Sequence, residues 1–171
     1  MPGGARAGRV ANLPTPITGR ETVSDPREPL AALAEFYRAF NTGDLALMEL
    51  NWDGAGDAVM DNPLGGITRG WPGIRDVYRR IFEGPARVNV ALHDASVQHH
   101  GEVFVAIGRE RGELSRGADR LEVTIRTSRV YRWTDGRWRQ IHHHGSIDDA
   151  DLLARYQRAV SGPAATVKED V

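Results

Sequence analysis

The sequence predicts an α+β fold, in which helices pack across one face of a curved antiparallel sheet and a short helix follows at the C-terminal end. Apolar residues recur at helical spacing over the first half of the chain. After Gly84-Pro85 they alternate with polar residues, which is the period of a strand, and Asp135-Gly136 is a strong hairpin signal. Helices followed by a meander of strands are typical of the α+β class, and such a sheet leaves a pocket at one end.

Three helices are predicted in the first half of the chain. The first starts at Asp25, with Pro26 in the first helical position and Glu28 in the third, and it ends at Gly43. Asp44 caps a short second helix. A strand over 58–61 and a turn over 62–66 separate the second helix from the third. The apolar stripes of the three helices are, in order, Leu30, Leu33, Tyr37 and Phe40; Leu45, Met48 and Leu50; and Trp71, Ile74, Tyr78 and Phe82.

Four long strands and a final helix are predicted after residue 86. In the first strand the alternation changes parity near Asp94, which indicates a β-bulge. A loose loop is expected near Ser115–Asp119, and either Asp148 or Asp149 caps the final helix, which carries Leu152, Leu153 and Tyr156. The three later strands cover 102–114, 120–133 and 137–147.

Composition limits the class of function. The chain has 171 residues, of which 40% are hydrophobic and 26% charged, as in a globular domain. The absence of cysteine excludes disulfides, thiolate metal sites and cysteine nucleophiles. A formal net charge of -1 argues against nucleic-acid binding, and no apolar run approaches the roughly 18 residues of a membrane span. We therefore expect a soluble, cytoplasmic protein with no nucleic-acid or membrane partner.

One folded domain is predicted over residues 25–161, between two loose ends. Residues 1–24 are rich in glycine and arginine, carry one acidic residue, Glu21, and show no long apolar pattern, so we expect a disordered arm. A transit peptide is the alternative, although the segment has no amphipathic stripe. Residues 162–171 begin with Gly-Pro and are expected to form a loose tail.

The Asp135-Gly136 turn fixes the register of the last two strands and thereby places side chains on one face of the sheet. That face would hold a guanidinium, two imidazoles and a hydroxyl beside aromatic bulk. A guanidinium suits a carboxylate or an enolate oxygen, and an imidazole can transfer protons near neutral pH. A bulge would shift the pairs, and a dimer interface is the alternative role for this face. The expected pairs are Trp133 with Trp138, Tyr131 with Gln140, Arg129 with His142, and Thr127 with His144.

Three segments of the chain resemble a known family. They are Phe36 to Asp44, Asp61-Asn62-Pro63, and Val130 to His144 with its Asp-Gly-x-Trp sequence. Together they resemble the nuclear transport factor 2-like superfamily over about residues 28–160, and most of all its SnoaL-like, ketosteroid-isomerase-like bacterial members. Thr127–Tyr131 and the hairpin also resemble the association domain of calcium/calmodulin-dependent kinase II.

The resemblance implies a cone-shaped α+β barrel with a deep pocket, usually in a dimer. It does not imply one reaction, because the superfamily includes isomerases, polyketide cyclases, dehydratases, epoxide hydrolases and non-catalytic binders. In the isomerase branch an early carboxylate acts as general base, and Asp61 falls near that place; a plain turn cap before Pro63 is the alternative. The second acid of the isomerase has no counterpart on strand 120–133.

The candidate catalytic residues are thus Asp61 or His144 for proton transfer, with His142 beside them, and Arg129 for a developing oxyanion. Aromatic side chains either line the pocket or belong to the ordinary core: Tyr37, Phe40, Trp52, Trp71, Tyr78 and Phe82.

No metal or cofactor is expected. Alternation puts His142 and His144 on one side of a strand and His143 on the other, so a third metal ligand would have to come from His99 or Asp61 through folding. Glu110, between Arg109 and Arg111, is expected to belong to an exposed or interface charge cluster.

Two functions remain open. The first is a cofactor-independent acid–base enzyme of the isomerase, cyclase or dehydratase type, acting on a small, mostly apolar carbonyl compound. The second is a non-catalytic module that holds a small carboxylate or assembles copies of the chain. A homodimer through the convex face is expected in either case, because strand 102–114 is apolar on both faces.

Overall fold

A seven-stranded mixed sheet and four helices make up the computed structural model, which describes residues 9–13 and 16–162. The elements in chain order are β1 (Arg9–Asn12), α1 (Pro29–Thr42), α2 (Leu45–Asn51), β2 (Val59–Asp61), β3 (Thr68–Arg69), α3 (Trp71–Glu83), β4 (Arg87–His100), β5 (Val103–Arg116), β6 (Asp119–Thr134), β7 (Arg137–Ser146) and α4 (Ala150–Ser161).

The strands lie in the order β1-β4-β5-β6-β7-β2-β3, and the sheet is curved but not closed. The long strands β4 to β7 pair antiparallel, as expected, and their inward side chains form the core with α1, α2 and α3. The short strand β2 departs from the expected antiparallel arrangement, because it runs parallel to β7. The α+β cone with a short C-terminal helix is confirmed.

Helix α1 begins three residues later than the sequence predicts. Pro29 occupies its first turn and Glu28 precedes it as N-cap, whereas Asp25 forms a separate turn in which its carboxylate accepts from the Arg27 N–H at 2.8 Å. A helix that started at Pro26 would put Pro29 where a backbone N–H is needed, so the second proline sets the start. The predicted caps of the other helices are confirmed: Asp44 accepts from Leu47 N and Asp149 from Leu152 N.

The bulge predicted in β4 is confirmed. The register shifts between His93 and Ser96, and Asp94 has a φ of 55°. The loose loop expected near Ser115–Asp119 is wrong, because β5 and β6 continue to a two-residue turn in which Arg116 pairs with Asp119. Gly117, with a φ of 58°, supplies the left-handed conformation that this tight turn needs.

Part of the predicted disordered arm is ordered. Strand β1 pairs with β4, and the side chain of Ile17 is fully buried in the core. The backbone N–H groups of Ile17 and Leu92 each donate to the other's carbonyl at 2.9 Å. Burial of the Ile17 side chain in the core stabilises this segment, although the residues around it are rich in glycine. The rest of the arm (residues 1–8, 14 and 15) and the tail 163–171 lie outside the described residues.

Candidate functional site

A second bulge, at Ile141 in β7, decides which side chains enter the cone. Trp133 pairs with Trp138 and Tyr131 with Gln140, as predicted. Between Tyr131 and Val130 the register then shifts by one residue on β7. Every side chain of β7 beyond the bulge therefore changes face relative to the prediction.

The histidines exchange places as a result. Arg129 pairs with His143 rather than His142, and His143 is 6% exposed inside the cone. His142 and His144 lie on the outer face, where their side chains are 38% and 50% exposed. The expected pairs of Arg129 with His142 and of Thr127 with His144 are thus wrong, whereas the inward position of Arg129 is right.

Arg129 lies at the centre of a buried polar network. Its Nη2 donates to Glu110 Oε1 at 2.6 Å, and its Nη1 donates to Gln140 Oε1 at 2.9 Å. The Tyr37 hydroxyl donates to the same Glu110 oxygen at 2.9 Å. The guanidinium carbon also lies 3.5 Å from the centre of the Phe36 ring, a cation–π contact. A buried cation has to be paired with an anion, and Arg129 finds that partner, Glu110, within the chain.

The position of Glu110 corrects the expected surface charge cluster. Glu110 is 5% exposed and belongs to the core, although Arg109 and Arg111 beside it are exposed. The alternation of side chains along β5 indicates this burial, because Glu110 lies on the same face of the strand as the buried Phe104 and Leu114.

Burial and charge alter the acid–base properties of this network. Burial raises the pKa of Tyr37 well above its usual range, and the adjacent Glu110 carboxylate raises it further, so the phenol keeps its proton. Burial opposes the charge of Arg129, but Tyr37 and Glu110 outweigh it and raise the pKa of the guanidinium overall. Arg129 is thus a permanent cation.

His143 is a neutral imidazole. Burial lowers its pKa well below the usual value of 6.5, and the neighbouring Arg129 cation lowers it further. Its Nε2 lies 3.1 Å from Thr127 Oγ1, while its Nδ1 is buried and has no hydrogen-bond partner among the described residues. Thr127 therefore orients the ring through Nε2, and Nδ1 can bind a further partner.

A cavity inside the cone joins these groups. The volume open to the centres of water molecules is about 30 Å³, room for one or two waters. Its polar lining comes from Glu110, Arg129, His143 and Asn62. The remainder is mostly apolar and comes from Phe36, Phe40, Met60, Pro63, Tyr78, Ile81, Val88, Val90, Ile125 and Tyr156.

Two of the six predicted pocket aromatics, Phe40 and Tyr78, line this cavity. Tyr37 lies behind it and contacts it through Glu110. Phe82 packs against Phe40 and Tyr78, with ring centres 6.0 and 5.8 Å away. The other two support the wall: Trp52 is fully buried beside Tyr78, and Trp71 donates its indole N–H to Glu49 at 3.0 Å.

Asp61 lies outside the cone. Because β2 is parallel to β7, Met60 aligns with His143 and points inward, whereas Asp61 aligns with His144 on the outer face. Asp61 Oδ2 lies 2.7 Å from His144 Nδ1, and Asp61 Oδ1 lies 3.9 Å from His142 Nε2. The three groups do come together, as the residue types suggested, but they do not reach the cavity.

The histidine and acidic side chains do not form a metal site in the described part of the chain. Among residues 9–13 and 16–162 no three histidine or acidic side chains are arranged to hold a metal ion. His99 packs edge-on against Trp138, with ring centres 5.5 Å apart. None of the helices in the described part of the chain has the length and apolar character needed to cross a membrane.

Residues 30–150 match the family model of the SnoaL-like domain. The chain belongs to the SnoaL-like family. The match spans α1 to the start of α4 and so includes the cavity and both bulged strands. No curated protein matches the sequence significantly.

Solved structures share the fold. A protein of the nuclear transport factor 2-like family from Streptomyces avermitilis, proposed to be a dehydratase, has a TM-score of 0.67 and 20% identity over 74% of this chain and 98% of its own. A proposed association domain of calcium/calmodulin-dependent protein kinase type II from Thiobacillus denitrificans has a TM-score of 0.62 and 24% identity over 71% and 95%. The kinase hub homology domain of Chlamydomonas reinhardtii has a TM-score of 0.60 and 19% identity over 74% and 100%. Identities this low show the fold alone.

Proposed function

We propose that this SnoaL-like domain is a cofactor-independent acid–base enzyme that acts on a small, neutral, mostly apolar carbonyl compound inside the cone. One observation carries the proposal. His143 Nδ1 and Arg129 Nε are buried, have no hydrogen-bond partner among the described residues, and belong to two side chains that line the same mostly apolar cavity. A base and a cationic donor are the two groups needed to form an enolate.

The charge of the cavity favours a neutral ligand over a carboxylate. Glu110 already neutralises Arg129 at 2.6 Å, and Gln140 occupies the second terminal nitrogen of the guanidinium. An additional carboxylate would bring a second negative charge next to Glu110 in a site with little water. A carbonyl oxygen needs a single N–H donor, and Arg129 Nε has no hydrogen-bond partner among the described residues.

The reaction is a proton transfer at the carbon next to the carbonyl. When the imidazole proton is on Nε2, where it can be donated to Thr127, Nδ1 is free to accept. The C–H bond breaks, the proton goes to Nδ1, and the electron pair moves into the enolate, whose oxygen accepts from Arg129 Nε–H. Where a carbon–carbon double bond lies next to that carbon, the enolate charge extends over it, and return of the proton to the far end of the double bond would give an isomer.

Proton exchange measured by NMR tests this proposal without knowledge of the natural substrate. The protein would be incubated in D₂O with small ketones such as cyclohexanone and acetophenone, and loss of the α-proton signals followed. We expect exchange faster than in buffer, and a loss of about 10² to 10⁴-fold in His143→Gln. His144→Gln, an adjacent histidine on the outer face, is the matched control. Equal rates in both variants, or no exchange above buffer, would contradict the proposal.

A non-catalytic association module is the second candidate. It is favoured by the small free volume of the cavity and by the outer face, where Ile107 is 41% exposed on β5. The similar structures of kinase association and hub domains support it at the level of fold. In this case a homodimer would form through the convex face. The cytoplasmic location expected from the sequence stays a prediction.

A further inference from the structure

The free space of the cavity is small, so a ligand larger than water requires its wall to move. Its free volume of about 30 Å³ is far below that of even a small ketone. Some element of the wall must move if the cavity is to be used. A gate of this kind rests on the proposed function only in so far as that function requires a ligand to enter.

Beside the turn that follows β2, the cavity shares lining residues with a groove on the outside of the protein. Asn62 and Ile81 line the internal cavity, and both also line an outer groove of about 620 Å³. The other sides of this groove are the end of α3 at Gly84-Pro85 and the end of α4 at Val160 and Ser161. One layer of side chains therefore separates the groove from the cavity.

Helix α4 closes this wall and is weakly attached. Of its twelve residues, Tyr156 alone is buried, and it lines the cavity. Gln157 Nε2 donates to the Pro63 carbonyl at 2.8 Å, a hydrogen bond that connects the helix to the turn. The apolar residues Leu152, Leu153, Ala159 and Val160 are only partly buried. A helix held by so few buried groups belongs to the part of a fold that opens at low free energy.

We propose that α4 is a gate, and that ligands enter between α4 and the turn at Asn62–Gly65. In the closed state Tyr156 fills the entrance and Gln157 holds it shut. Opening breaks the hydrogen bond to Pro63 and withdraws the Tyr156 ring, while the sheet and α1 to α3 stay folded. Tyr156 and Gln157 are therefore the residues that control access to Arg129 and His143.

The absence of cysteine allows a direct test. In Val88→Cys the chain carries one thiol, at a cavity-lining position on β4. Iodoacetamide can alkylate it only when the cavity opens, so the labelling rate measures the opening equilibrium. Val90→Cys, also in the cavity wall, serves if Val88→Cys does not fold.

In this background Gln157→Ala is expected to raise the labelling rate about threefold to tenfold, as loss of one hydrogen bond from the closed state requires. Tyr156→Ala is expected to raise it further, and Tyr156→Phe, which keeps the ring, much less. Arg155→Ala, on the exposed side of the same helix, is the matched control and should leave the rate unchanged.

The dependence of labelling on urea separates gating from unfolding. A local opening exposes little surface, so the rate at low urea should rise much less steeply than the global unfolding equilibrium. The proposal is overturned if labelling follows global unfolding, or if Gln157→Ala and Arg155→Ala give the same rate. The assay does not depend on proton transfer, so the gate can hold even if His143 proves inert.

Discussion

Arg129 and Glu110, on neighbouring strands β6 and β5, form an ion pair of 2.6 Å with side chains that are 2% and 7% exposed. The sequence predicts that Arg129 faces into the cone, where its guanidinium suits a carboxylate or an enolate oxygen. The structure supplies an internal carboxylate. Such a pair costs desolvation free energy when it forms, and its loss on one side leaves an isolated buried charge.

Arg129→Met should therefore destabilise the fold strongly. The change keeps much of the side-chain length but leaves Glu110 unpaired, and we expect the free energy of unfolding to fall by about 3–5 kcal/mol in urea denaturation. Arg126→Met is the matched control, because Arg126 pairs with Asp148 on the surface at 2.6 Å, with side chains 60% and 63% exposed. Adding Glu110→Gln to Arg129→Met should recover part of the loss. Equal losses in the Arg129 and Arg126 variants would show that removing Arg129 leaves no isolated buried charge at Glu110.

Strand parity and turn chemistry predict most of the fold. They also explain why the inward-facing histidine of β7 could not be predicted. The parity of Arg129 with Ile125 and Tyr131 places it inside, and the same argument applied to β5 would have found Glu110. The bulge at Ile141 has no local sequence signal comparable to the parity change near Asp94. Because one inserted residue reverses every later side chain, the identity of the inner histidine could not be predicted from the hairpin alone.

The outer face of β5 should mediate dimer formation. Phe104 and Ala106 are buried in the core, yet Ile107 on the opposite face is 41% exposed and Val105 is half-buried beside Val130. Light scattering at micromolar concentration should give twice the chain mass of 18.8 kDa, and Ile107→Lys should reduce it to that of one chain. Ile67→Lys, at a 57% exposed position away from this face, is the control. A single-chain mass for the unmodified protein would reject the interface.

Metal removal should leave the protein unchanged. Asp61 lies near His142 and His144, but the described residues do not arrange three ligands around one point. Exhaustive chelation followed by thermal melting should therefore give the same Tm before and after treatment. A large decrease in Tm that added zinc reverses, and that His144→Gln abolishes, would establish a metal site on the outer face.

Acid should destabilise the fold through His143. Burial lowers the pKa of this imidazole in the folded protein well below 6.5, whereas in the unfolded chain the pKa returns to about that value. Well above pH 6.5 the imidazole is neutral in both states and contributes no pH dependence. As the pH falls below 6.5, the unfolded chain binds a proton that the folded protein does not, so the free energy of unfolding decreases by up to about 1.4 kcal/mol per pH unit from this group. Urea denaturation between pH 7 and pH 5 should show this component in the native chain and in His144→Gln, and it should be missing in His143→Gln. If His143→Gln keeps the full slope, the imidazole is not neutral in the fold, and its role as the base is lost with it.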